Sequence, residues 1–131
     1  MSYTIDTRVE GSFDDVVEAT EDALAEEGFG VLCDVDVQAT LRKKLDAEFR
    51  QYRILGACNP PLAHEALQEE PGIGALLPCN VVVYEDEDGV AVRAVDPVTL
   101  LGVVENDALD EVAGEVRDRL TRVTDAVETS F

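Results

Sequence analysis

Val81-Val82-Val83-Tyr84-Glu85, then Asp86-Glu87-Asp88-Gly89, then Val90-Ala91-Val92-Arg93-Ala94-Val95 read as two strands joined by a hairpin. Asp-Gly between two runs rich in valine is a strong tight-turn signal. Val82 and Tyr84 point opposite to Val81 and Val83, so the first of these strands is apolar on both faces. Leu32, Leu55 and Ala57 are expected to add to its second face. A strand apolar on both sides is buried on both sides. The expectation is therefore a partner chain, most simply a second copy in a two-fold homodimer packing through sheet or edge.

The remaining elements follow outward from the hairpin. Upstream, Tyr52–Cys58 reads as a strand that ends at Asn59-Pro60-Pro61, where Asn59 caps a helix running to about Glu70. Phe29–Val37 alternates, with Phe29, Val31, Cys33, Val35 and Val37 on one face. Residues 39–48 read as a short helix. Tyr3, Ile5, Thr7 and Val9 alternate with Ser2, Thr4, Asp6 and Arg8, which predicts a half-buried strand. Ser12 then caps a helix whose face is Phe13, Val16, Val17, Ala23 and Leu24, and Gly28 stops it. Downstream, Asp96-Pro97 opens a short helical piece. Leu109, Val112, Val116, Leu120, Val123 and Val127 step by three or four along a long final helix, with Asp107 in position to cap it. The order β-α-β-(α)-β-α-β-β-(α)-α predicts one α+β domain over residues 1–131. Its core is a mostly antiparallel five-stranded sheet with the helices on one face.

Composition sets the environment. The 131 residues carry 29 acids against 10 Lys+Arg, a net charge of −19. A field of that sign repels nucleic-acid phosphates and anionic lipid heads, so neither nucleic acid nor membrane is an expected partner. Apolar runs are far shorter than a membrane span. Met1–Asp6 lacks a basic stretch followed by an apolar one, so no signal peptide is expected. Three cysteines, an odd number, argue for a reducing, cytoplasmic setting over a disulfide scaffold. Only two lysines stand against eight arginines, and the acids are spread along the whole chain. This pattern is similar to the surfaces of salt-in halophile proteins, and self-repulsion in dilute buffer is the expected consequence. A merely acidic mesophilic protein is the alternative.

Two segments carry a family resemblance. They are Ile54-Leu55-Gly56-Ala57-Cys58-Asn59-Pro60-Pro61-Leu62-Ala63-His64-Glu65-Ala66-Leu67 and Leu76-Leu77-Pro78-Cys79-Asn80-Val81-Val82-Val83-Tyr84-Glu85. G-A-C-N-P, then A-x-x-A-L, then L-P-C and a β-run, with Asp96-Pro97 after the hairpin, resembles the uncharacterised domain-of-unknown-function family 302. The resemblance runs from Tyr3 to the final helix. It implies an α+β fold of β-α-β₄-α type, TBP-like, and frequent dimers. It implies no reaction, substrate or cofactor.

The residues that could carry chemistry are few. Cys33, in its alternating row, reads as a small core residue. Cys58 precedes the helix cap Asn59, and a helix N-terminus favours thiolate. Cys79 opens the strand two elements later. If strands 52–58 and 79–85 are antiparallel neighbours, the two thiols meet at one rim. If they are parallel, the thiols lie at opposite ends. His64, the only histidine, sits at the border of its helix's buried face. Cys58, Cys79 and His64 would suit a soft divalent metal, but the spacing matches no zinc pattern and no C-x-x-C occurs. Asn80 could line a cleft. Pro71-Gly72-Ile73-Gly74-Ala75 is no phosphate loop, and no G-x-S-x-G elbow exists. No catalytic residue, metal site or cofactor is assigned. The expected function is a cytoplasmic, homodimeric, salt-adapted binding or sensing module. Its small-ligand or metal pocket would lie near Cys58, Cys79, Asn59, His64 and Asn80. One alternative is a redox enzyme with Cys58 as nucleophile and Cys79 as resolving thiol. The other is a purely structural association domain.

Overall fold

A computed structural model describes residues 2–131. Its strands are β1 (Thr4–Val9), β2 (Gly30–Asp36), β3 (Tyr52–Cys58), β4 (Cys79–Asp86) and β5 (Gly89–Val95). They form one sheet in the order β1-β5-β4-β3-β2, with every neighbouring pair antiparallel. The expected α+β architecture is present. Helices α1 (Phe13–Glu26) and α5 (Asp110–Thr129) cover one face. Helices α3 (Pro60–Glu69) and α4 (Pro97–Gly102) close the end of the same layer, while α2 (Val37–Leu45) buries no residue.

The caps explain several boundaries. Ser12 accepts from the Asp15 N–H, Asp96 from Val98, and Asn59 from Leu62. The last helix differs from its expected start. Asn106, and not Asp107, supplies the side-chain cap, and it caps a 3-10 turn over Asp107–Leu109 that feeds into α5.

The main core lies between sheet and helices. Leu55, Val81, Val83 and Val92 point up from the strands, and Val16, Leu24, Leu120, Val123 and Val127 point down from α1 and α5. A second cluster gathers Ala66, Ile73, Leu101, Leu109, Val112 and Ala113.

The opposite sheet face is not covered by α1, α3, α4 or α5, and α2 touches only its β2–β3 margin without burying a residue. Here two expectations are corrected. Leu55 pairs with Val81, and Ala57 with Cys79, so Leu55 and Ala57 belong to the helix-covered face. Cys33 is exposed rather than in the core. A bulge between Val31 and Cys33 adds one residue to β2, and one residue of slip sends a side chain to the other face. Cys33 thus lies opposite Gly56 on the uncovered face. A Cβ at Gly56 would collide with Cys33 Sγ and come within 2.9 Å of Pro78 Cγ, so glycine is required for this close approach. As an edge strand, β2 stays almost wholly exposed, and Leu32 keeps 68% of its surface in solvent.

Candidate functional site

The antiparallel register brings the two cysteine segments together. Ala57 pairs with Cys79, which makes Cys58 a diagonal neighbour of Cys79. Cys79 is buried and Cys58 half-buried. Burial pushes the Cys79 thiol up to about 11, and the nearby Cys58 adds to the rise. Asn59 is occupied structurally. Its Oδ1 accepts the Leu62 N–H at 3.3 Å, and its Nδ2 donates to the Glu27 carbonyl at 3.4 Å, which also receives Arg119 Nη1 at 2.9 Å. These bonds anchor the end of α1, where Gly28 takes φ +83°. Beside the thiols, Phe29, Leu62, Ala66, Ile73 and Leu101 enclose an apolar cavity of about 40 Å³. That volume holds on the order of one to three waters, well below the roughly 300–1,000 Å³ of ordinary ligand pockets.

The other two candidates lie elsewhere. His64 is exposed on α3 and does not line the cavity. Among the described residues no group of three or more His, Cys, Asp or Glu side chains could hold a metal ion. Asn80 follows Cys79 on the strand and so points to the opposite, uncovered face, where it is exposed.

The raised Cys79 value has a consequence for stability. A thiol whose pKa rises on folding keeps its proton where the unfolded chain has lost it. Its contribution is complete below the unfolded value near 9 and disappears as pH climbs toward about 11. We expect Cys79→Ala to flatten the fall in stability across that window by about 2–3 kcal/mol. Urea titrations at stepped pH check this, and parallel curves for the two proteins would contradict it.

A second concavity crosses the uncovered face. It is a groove of about 520 Å³, lined by Tyr3, Thr4, Phe49, Arg50, Tyr52, Asn80, Val82, Tyr84, Arg93 and Val95. Tyr52 and Tyr84 are register partners, and their rings stack at 5.2 Å with 7° between planes. Phe49 packs on Tyr52 at 6.0 Å, its carbonyl held by Gln38 Nε2 at 2.9 Å. The Arg93 guanidinium lies 5.5 Å from the Tyr3 ring centroid, and that of Arg50 lies 6.0 Å from the Tyr84 ring centroid. Partial burial raises the Tyr52 phenol, with Tyr84 adding and Arg93 opposing, so Tyr52 is neutral at physiological pH.

Sequence reasoning placed Tyr3, Tyr52, Tyr84 and Arg93 on strands but did not join them. The available signal was phase: Tyr52, Asn80, Val82, Tyr84, Arg93 and Val95 all fall opposite the core-facing positions. Phe49 and Arg50 come from a connection whose path the sequence does not encode locally.

The sequence profile of a family described as a domain of unknown function, DUF302, matches residues 5–127. Among solved structures, the crystal structure of an uncharacterised conserved DUF302 protein from Bacillus stearothermophilus is similar. It has 31% identity and a TM-score of 0.90, over 96% of this chain and 98% of that one. No curated protein matches the chain. Among the described residues, no helix is long and apolar enough to cross a membrane. A profile match over nearly the whole sequence and the same fold in a solved relative lead to one statement of kinship: the chain belongs to the family of domain of unknown function DUF302.

Proposed function

We propose that this protein is a small-molecule binding module whose platform is the uncovered sheet face, and that its ligand is flat and largely apolar. One observation carries the reading. The chain has seven aromatic residues, three tyrosines and four phenylalanines, and all three tyrosines plus Phe49 line this groove. Aromatic side chains add most when buried, yet these four are left without a covering layer. The groove also has the size of ordinary ligand pockets, which the cavity beside Cys58 and Cys79 lacks. The thiol-redox reading is disfavoured because Cys79, its resolving thiol, is buried and stays protonated at neutral pH.

The chain has no tryptophan, so its intrinsic emission comes from the groove. We expect 2-naphthylmethanol, an energy acceptor for tyrosine, to quench that emission saturably. Tyr84→Ala should raise the dissociation constant by about fivefold or more, as loss of a stacking face implies. Quenching that is linear in ligand and unaffected by the substitution would contradict the platform. A homodimer formed through this face is the competing occupant. It would appear as a doubled mass in sedimentation, with naphthyl binding seen only at protein concentrations low enough for the copies to separate.

A further inference from the structure

The charge of the groove runs against the charge of the molecule. The chain holds 29 acidic residues against 10 basic ones, yet the groove lining contains two arginines and no acid. Arg50 stands out further. Six of the eight arginines pair with a carboxylate, whereas among the described residues Arg50 and Arg42 form no ion pair. Arg50 borders the acidic Glu85–Asp88 turn and helps to lower the Asp86 carboxyl without bonding to it. Arg50 gives only Nη1 to the Glu85 carbonyl, at 3.3 Å. Arg93 is held by Thr4 Oγ1 at 2.9 Å and by Asp6 at 3.2 Å through Nε and Nη2. That leaves Nε and Nη2 of Arg50 without an acceptor among the described residues, while Arg93 also leans on the Tyr84 hydroxyl, which helps to hold its guanidinium at the groove. Each guanidinium lies near an aromatic ring, an arrangement that leaves the edge N–H groups free for an oxyanion.

Resting on the platform reading above, we infer that the groove selects a planar aromatic anion. Its ring lies against the Tyr52–Tyr84 pair, and its acid group meets the Arg50 and Arg93 guanidiniums. In a molecule of charge −19 the general field favours cations, so a preference for an anion can arise only from local contacts. Asn80, exposed on the same lining, supplies a further donor to a polar ring substituent.

Three probes with the same ring test this: 2-naphthoate, 2-naphthylmethanol and 2-naphthylmethylammonium, titrated by calorimetry into the full-length protein in identical KCl buffer. We expect naphthoate to bind about tenfold more tightly than the alcohol, and the ammonium compound most weakly. Arg50→Gln should bring naphthoate to within about twofold of the alcohol, both measured on the variant so that any change common to the two probes cancels. Arg50→Lys should keep part of the preference, because the charge survives and the fork does not. Equal or tighter binding of the ammonium probe would overturn the inference, as would a naphthoate preference that persists in both Arg50→Gln and Arg93→Gln. If the alcohol binds and no preference for the acid is seen, only the anion assignment fails. If none of the three probes binds, the platform reading fails with it.

Discussion

Replacing Leu120 by alanine is expected to cost about 3–5 kcal/mol of folding stability, the range for emptying a fully buried leucine site. Leu120 is wholly inaccessible to solvent and sits in the stripe that continues through Val123 and Val127. That stripe shares one core with Val16 and Leu24 of α1 and with Val81, Val83 and Val92 of the sheet. Hemmed in by these packed side chains, the site collapses little when the side chain is cut back, so the transfer and cavity terms add. Leu32→Ala is the internal control. Leu32 is 68% exposed in the bulged edge strand, and its loss should change stability by no more than about 0.5 kcal/mol. Urea unfolding with unchanged slope checks both variants. A cost under about 1 kcal/mol at Leu120 would contradict the layered packing.

The second large effect concerns salt. Six acids, Asp6, Glu27, Asp34, Asp86, Asp96 and Glu115, find an arginine partner. The other 23 of the 29 have no such pair among the described residues. Two opposing effects meet when salt is added. The exposed ion pairs weaken, but such pairs contribute only about 0–1 kcal/mol each. The mutual repulsion of the unpaired acids is screened as the Debye length falls from about 10 Å at 0.1 M to below about 3 Å above 1 M. Repulsion is the larger quantity in a chain of charge −19. We expect the melting midpoint to rise by about 10 °C between 0.1 M and 2 M KCl, equivalent to roughly 3 kcal/mol for a chain of this size. Equal midpoints would refute the salt-adapted reading.

Much of the architecture is legible in the sequence because local signals and tertiary needs agree. Ser12, Asn59 and Asp96 announce helix starts that the structure uses. Asp88-Gly89 closes the hairpin, and the Leu120–Val127 stripe is the buried face of α5. Cys33 shows where this reasoning stops. Its alternation with Val31 is regular in sequence, but a single bulged residue, which leaves no local composition signal, reverses its face. The proximity of Cys58 to Cys79 depends on strand direction, which no local pattern specifies. The structure resolves it as antiparallel. The groove was the least legible feature, because it needs residues from four strands and from the 46–51 connection to meet. Tyr3 and Tyr52 look like ordinary strand aromatics until β1 and β3 are placed on either side of the central hairpin.

Amide chemical-shift mapping during a titration with 2-naphthoate tests the central claim most directly. The uncovered tyrosine face as platform requires the largest shifts at Tyr52, Asn80, Val82, Tyr84, Arg93 and Val95. Shifts centred instead on Phe29, Leu62, Ala66 and Cys79 would return the site to the cavity beside the thiols and contradict the account.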